Sequence, residues 1–138
     1  MNIEFINEHP SFQFNLEDNF YDKTKSLFIS EKVVKDISLC VVFMSDDDLL
    51  EINMKHLDHD YFTDIITFPI DETDDFLEAD IYISIDRVKA NANNYKVDSM
   101  RELLRVLLHG CLHLCGYNDH SKEEKRVMRA KEDFYLSF

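Results

Sequence analysis

Between Ser99 and Gly116 the chain reads Ser-Met-Arg-Glu-Leu-Leu-Arg-Val-Leu-Leu-His-Gly-Cys-Leu-His-Leu-Cys-Gly. No other stretch narrows the choice of fold as much. Leu103, Leu104, Val106, Leu107, Leu108, Leu112 and Leu114 cover most of the girth of a helix, so that helix must be buried on nearly every side. It is therefore the central element, and the rest of the chain packs around it. Ser99 and Glu102 have the spacing of a capping box at its start, and Gly116 suits a left-handed cap at its end. One polar row interrupts the apolar surface. Arg101, Arg105, His109 and His113 recur every four residues and drift slowly along one face.

The other segments divide by periodicity. Ile3 to Ile6 alternates as a short first strand. Residues 17–30, with Leu16, Phe20, Leu27 and Phe28 among charges, suit an amphipathic helix. Ser38 to Met44 is apolar and β-branched enough for a buried strand. Ser45 followed by Asp48 predicts a helix start, with Leu49, Leu50 and Ile52 as its stripe and an end near His56. Thr63 to Phe68 reads as a strand stopped by Pro69, 71–78 as an acidic loop, and 80–85 as a fourth strand. A helix over 86–95 follows. A Ser121/Glu124 capping box opens a last helix to about Tyr135. Strands and helices mingle without a strict βαβ rhythm, which makes the class α+β, in one domain over 1–138.

The chemistry is concentrated in His109-Gly-Cys-Leu-His113-Leu-Cys-Gly-Tyr-Asn-Asp-His120. His109 and His113 share a helix face with Cβ atoms about 5–6 Å apart. His120 follows Gly116, where the chain can turn sharply back. Three neutral imidazoles meeting at one point bind a divalent transition metal and leave a coordination position open, as catalytic rather than structural sites do. Such a set suits zinc, nickel or copper. Cys111 and Cys115 each lie two positions past a histidine, about 200° round the helix, and read as small buried hydrophobes, as does Cys40. Gly110 stands where a zinc metallopeptidase carries its general-base Glu, which counts against peptide hydrolysis. A glycine there serves close approach of another segment or a substrate, or ordinary helix packing. Arg105, one turn before His109, is the candidate to neutralise phosphate charge; its alternative is a salt bridge between helices. Asp119 either orients a metal-bound imidazole through its second ring nitrogen or caps a turn. His9, His56 and His59 lack ligand spacing and read as solvated or locally hydrogen-bonded.

The formal net charge of −13 argues against loose electrostatic capture of nucleic acid, because that mode relies on Lys and Arg displacing counterions. It fits contact with a basic protein better. Three cysteines make no even disulfide framework and point to a reducing compartment. No apolar run approaches the ~20 residues of a membrane helix, and the N-terminus lacks a basic and apolar leader. The expectation is a soluble, cytoplasmic protein with no membrane partner.

The histidine motif, with Gly116, Tyr117 and the Asp119-His120 pair, resembles the signature of the YbeY family of bacterial metal-dependent rRNA maturation factors. Thr63-Asp-Ile-Ile-Thr-Phe-Pro69 and Asp80-Ile-Tyr-Ile-Ser84 resemble two of that family's strand motifs, in the same order, so the similarity runs from about Ile37 to the C-terminus. The resemblance implies a mixed, four-stranded sheet with several helices and one divalent metal, zinc first, held by His109, His113 and His120. It implies a single-strand-specific endoribonuclease acting in late small-subunit rRNA maturation, at the 3′ end, and in ribosome quality control. Implied partners are single-stranded RNA of the small subunit and a ribosomal protein or ribosome-associated GTPase. The non-enzymatic alternative is a metal-stabilised ribosome assembly factor; a metallopeptidase ranks third. Two departures stand out. The family spaces its third histidine ten residues after the first, whereas His120 is eleven away, which makes Asp119 the substitute should His120 miss the ion. Leu57 occupies the place where the family has an arginine that handles RNA.

Overall fold

A computed structural model describes residues 1–14, 18–59 and 61–137. The elements in chain order are β1 (Asn2–Asn7), α1 (Asp18–Ser30), β2 (Asp36–Met44), α2 (Asp46–Leu57), β3 (Ile65–Glu72), β4 (Phe76–Ser84), α3 (Ile85–Tyr95), α4 (Ser99–Leu114) and α5 (Lys122–Leu136). The four strands form one mixed sheet in the order β1-β2-β4-β3, with β3 antiparallel to β4 and the other pairs parallel. The α+β class and the four-stranded mixed sheet thus match expectation.

Strand alternation splits the apolar residues between two faces. Ile37, Leu39, Val41 and Phe43 of β2, with Ala79, Ile81 and Ile83 of β4, enter the main core beneath α4. Val42, Met44 and Ile66 join Leu49 of α2 in a smaller cluster. The apolar girth of α4 is used as its sequence predicts: Leu103, Leu107, Leu108, Cys111 and Leu112 are all essentially inaccessible. Gly110 lets this helix press on the sheet. A Cβ there would lie 2.7 Å from Ile65 Cδ1 and 3.2 Å from Thr67 Oγ1. The close approach is therefore made by the side chains of β3, which brings that strand alongside the histidine row.

Three local expectations change. The third strand runs through Pro69 to Glu72, because β3 is an edge strand and its outer side needs no N–H; the register shifts between Pro69 and Asp71. The acidic stretch 71–78 is a hairpin, since Phe76 and Leu77 pair with β2 and leave only a tight turn, closed by Thr73 N–H to Phe76 C=O at 2.8 Å. Asp98, not Ser99, caps α4: its Oδ2 accepts from the N–H groups of Met100 and Arg101, while Glu102 is buried in the helix face. The Ser121/Glu124 capping box forms as expected. Leu16 lies outside the described residues, none of whose helices is long and apolar enough to cross a membrane.

Candidate metal centre

His109 and His113 project from one face of α4 on successive turns. The helix then ends in a reversal at Gly116, whose φ of 102° lies in the left-handed region open to glycine. Gly116 N–H donates to the His113 carbonyl at 3.0 Å and Tyr117 N–H to the Leu112 carbonyl at 3.1 Å. The reversal returns Asp119 over the two imidazoles. Asp119 Oδ2 lies 3.3 Å from His109 Nε2 and 3.6 Å from His113 Nε2, and the two Nε2 atoms are 3.0 Å apart. Among the described residues this is the group of three side chains arranged to share a cation.

The opposite ring nitrogens are occupied. His109 Nδ1 lies 2.7 Å from Glu132 Oε2, and His113 Nδ1 lies 2.9 Å from the Tyr117 carbonyl oxygen. A carbonyl and an ionised carboxylate only accept, so each Nδ1 carries its hydrogen and donates. Both Nε2 lone pairs then face Asp119 Oδ2 with no donor among the three atoms. Such a cluster needs a positive charge at its centre. Burial pushes His109 down, but its hydrogen bond to Glu132 and the charges of Glu132, Asp119 and Asp64 outweigh burial and hold it above its ordinary value. A divalent ion fits the spacing of the three atoms. Ligands about 2.0–2.1 Å from a tetrahedral zinc are about 3.3 Å from one another, which the three separations bracket.

Glu132 is the residue that sequence reasoning missed. It comes from α5, is 5% exposed, and also accepts from Arg105 Nη1 at 2.9 Å. A signal existed: Met128, Glu132 and Tyr135 share the buried face of α5, and a carboxylate on an apolar stripe needs a partner. Arg105 donates its other terminal nitrogen to Asp133 at 2.7 Å, so both ends of its guanidinium are held by α5. This is the salt-bridge alternative for Arg105. Asp119 approaches the imidazoles from the Nε2 side and does not orient either ring through its second nitrogen, because Glu132 and Tyr117 hold those positions.

The triad sits at the wall of a cleft of about 860 Å³ bounded by the end of α2, β3 and the α4 reversal. Leu57, Tyr61, Thr63, Asp64 and Thr67 line it, and His120 sits on its lining without joining the three converging atoms. No Lys or Arg is among the described lining residues. A smaller cavity of about 260 Å³ lies on the far side of His109 and Asp119, against Glu102, Arg105 and Arg129. Asp64 borders both cavities, and burial raises its carboxyl above the usual range. His9 Nδ1 accepts locally from the Ser11 and Phe12 N–H groups, while its Nε2 pairs with the sequence-remote Asp86; His56 rests against Phe68, and His59 reaches the cleft. Cys111 is fully buried and Cys115 partly so; burial pushes the Cys115 thiol to about 12 and the Cys111 thiol further up, which leaves both inert.

Residues 2–138 match the family described as "Endoribonuclease YbeY". A protein of that name from Cytophaga hutchinsonii is 54% identical over 101 residues, 73% of this chain and 71% of its own. One from Karelsulcia muelleri is 42% identical over 134 residues, covering 96% of this chain and 94% of its own. The solution structure of a Thermotoga maritima protein superposes with a TM-score of 0.67 at 29% identity, over 98% of this chain and 87% of that one.

Proposed function

The chain belongs to the endoribonuclease YbeY family, and from that premise we propose that it hydrolyses single-stranded RNA at the centre built from His109, His113 and Asp119. The observation that carries this reading is the meeting of two Nε2 lone pairs and a carboxylate oxygen at the wall of an open cleft, with no donor between them. The ion is zinc in this reading, and the setting is small-subunit rRNA 3′-end maturation in the cytoplasm.

When bound, a divalent cation supplies Lewis acidity toward a phosphoryl oxygen and lowers the pKa of bound water towards ~7. The chain's own residues prepare that place. Glu132 and the Tyr117 carbonyl lock both imidazoles with Nδ1 protonated and Nε2 free, the state that ligation requires. Arg105 holds Glu132 and is a positioning residue; both ends of its guanidinium are already committed to carboxylates before any phosphate arrives. Asp119 lies ten residues after His109, the spacing the family gives its third ligand, so we assign it that place. His120, where the resemblance pointed, then borders the substrate cleft.

The test is cleavage of a single-stranded RNA oligonucleotide by metal-loaded protein. Wild type cleaves and His113→Ala falls to background with its circular dichroism unchanged; equal cleavage by both attributes the activity to a contaminant. The lack of Lys and Arg among the described lining residues of the cleft favours a second reading, a ribosome assembly factor that docks through protein contacts. Binding to immature small subunits that survives loss of all cleavage selects it.

A further inference from the structure

The segment between α2 and β3 carries an aromatic pair that the metal chemistry does not use. The rings of His59 and Tyr61 lie 5.0 Å apart at 22°, and the Tyr61 hydroxyl is 3.0 Å from His59 Nδ1. Both side chains line the metal cleft. Tyr61 is nevertheless 55% exposed, so with one ring face against His59 much of the ring meets solvent. Phe62, next in the chain, is also exposed but has the Arg87 guanidinium over it, 5.4 Å from the ring centre, and does not line the cleft.

The pair is held firmly. Asn53 of α2 is 1% exposed, an unusual place for an amide on a helix face that otherwise buries Leu49. Its Nδ2 donates to the Tyr61 carbonyl at 2.9 Å, and its backbone carbonyl accepts from His59 N–H at 3.1 Å. Asn53 thus fixes Tyr61 through its buried side chain and His59 through its backbone carbonyl. A platform ordered beforehand loses little entropy when a ligand settles on it.

Electrostatics says what that ligand is. The chain carries −13 and the described cleft lining has no Lys or Arg, so phosphate contacts alone give a strand little hold. Stacking on an aromatic face is open to every base, and it demands a base freed from its duplex. We propose that Tyr61, backed by His59, is the stacking subsite for one nucleobase of the single-stranded RNA, and that this contact replaces the missing cations in holding substrate beside the metal. The proposal rests on the nuclease reading above and adds the substrate's point of attachment.

The chain has no tryptophan, so Tyr61→Trp introduces a lone indole reporter at the subsite. Its emission is quenched on adding a six-nucleotide single-stranded RNA and unchanged by the same sugar-phosphate chain lacking bases. Val34→Trp, at a 93% exposed position outside the cleft lining, gives no quenching with either. Tyr61→Ala weakens binding of the hexamer about 5- to 150-fold and raises KM with kcat nearly kept. Tyr61→Phe stays within a few-fold of wild type. Quenching by the abasic chain equal to that by RNA, or a Tyr61→Ala protein with unchanged KM, overturns the subsite while wild-type cleavage leaves the nuclease reading standing. Wild-type protein that neither binds nor cleaves RNA overturns both.

Discussion

Two polar clusters share α5 and the turn after α4, yet they are built on opposite plans. In one, Glu31 accepts from Tyr117 Oη at 2.6 Å, from Lys131 Nζ at 3.0 Å and from the Tyr135 hydroxyl. Every donor meets an acceptor, and a cation balances the anion. Burial pushes Glu31 up, but its three donors outweigh burial and hold it below the usual carboxylate range. In the other, Lys131's neighbour Glu132 turns about 100° round the helix to His109. There the outer bonds are complete and the inner ones are not, because two Nε2 atoms and Asp119 Oδ2 converge as acceptors. The contrast separates architecture from function. A saturated cluster fastens α1 to α5, while one left short of positive charge holds a place for an ion.

Replacing single members sharpens this contrast. The largest effect falls on Asp119→Ala, which weakens divalent-metal binding beyond the about 100-fold ceiling of outer contacts. His120→Ala changes it little. Competition with a chromophoric chelator measures both, and the reverse order returns the third place to His120. Next comes Glu132→Gln, which keeps shape and removes charge. It lowers metal affinity about 10- to 100-fold in the same assay, because the His109 ring loses the anion that makes it a better donor. A loss of fold without loss of metal would reduce Glu132 to a helix clamp.

The smallest effect belongs to the saturated cluster. Glu31→Gln leaves metal affinity alone and lowers stability at pH 7 by about 1.5–3 kcal/mol, the range for hydrogen bonds to a charged group. The pH sense follows from the lowered folded-state pKa. The contribution is complete above the unfolded carboxyl pKa of about 4.3 and is lost as pH falls through the folded value. Urea denaturation from pH 7 downward therefore finds the two proteins converging in acid. A constant difference across that range would show that packing, not charge, makes the contact.

Legibility varied with the range of the interaction. The buried α4, its histidine row, the Gly116 reversal and the Ser121 cap were visible because each depends on residues within a few positions of one another. The hairpin at 71–78 was not, since a run of acids looks like a loop until Phe76 and Leu77 find β2. Glu132 and Asn53 escaped for the same reason. Each is a polar residue on a buried face whose partner is remote in sequence or lies in an irregular segment.

The amino-acid order by itself determined that a helix apolar on nearly every side carries two imidazoles on one face, four residues apart and just before a turn only glycine makes easily. Tertiary packing alone decided which oxygen came back over them, which carboxylate set their protons and which rings walled the cleft. Periodicity and capping act through the local backbone, whereas the direction of an electron pair depends on what every neighbouring element brings within about 3 Å.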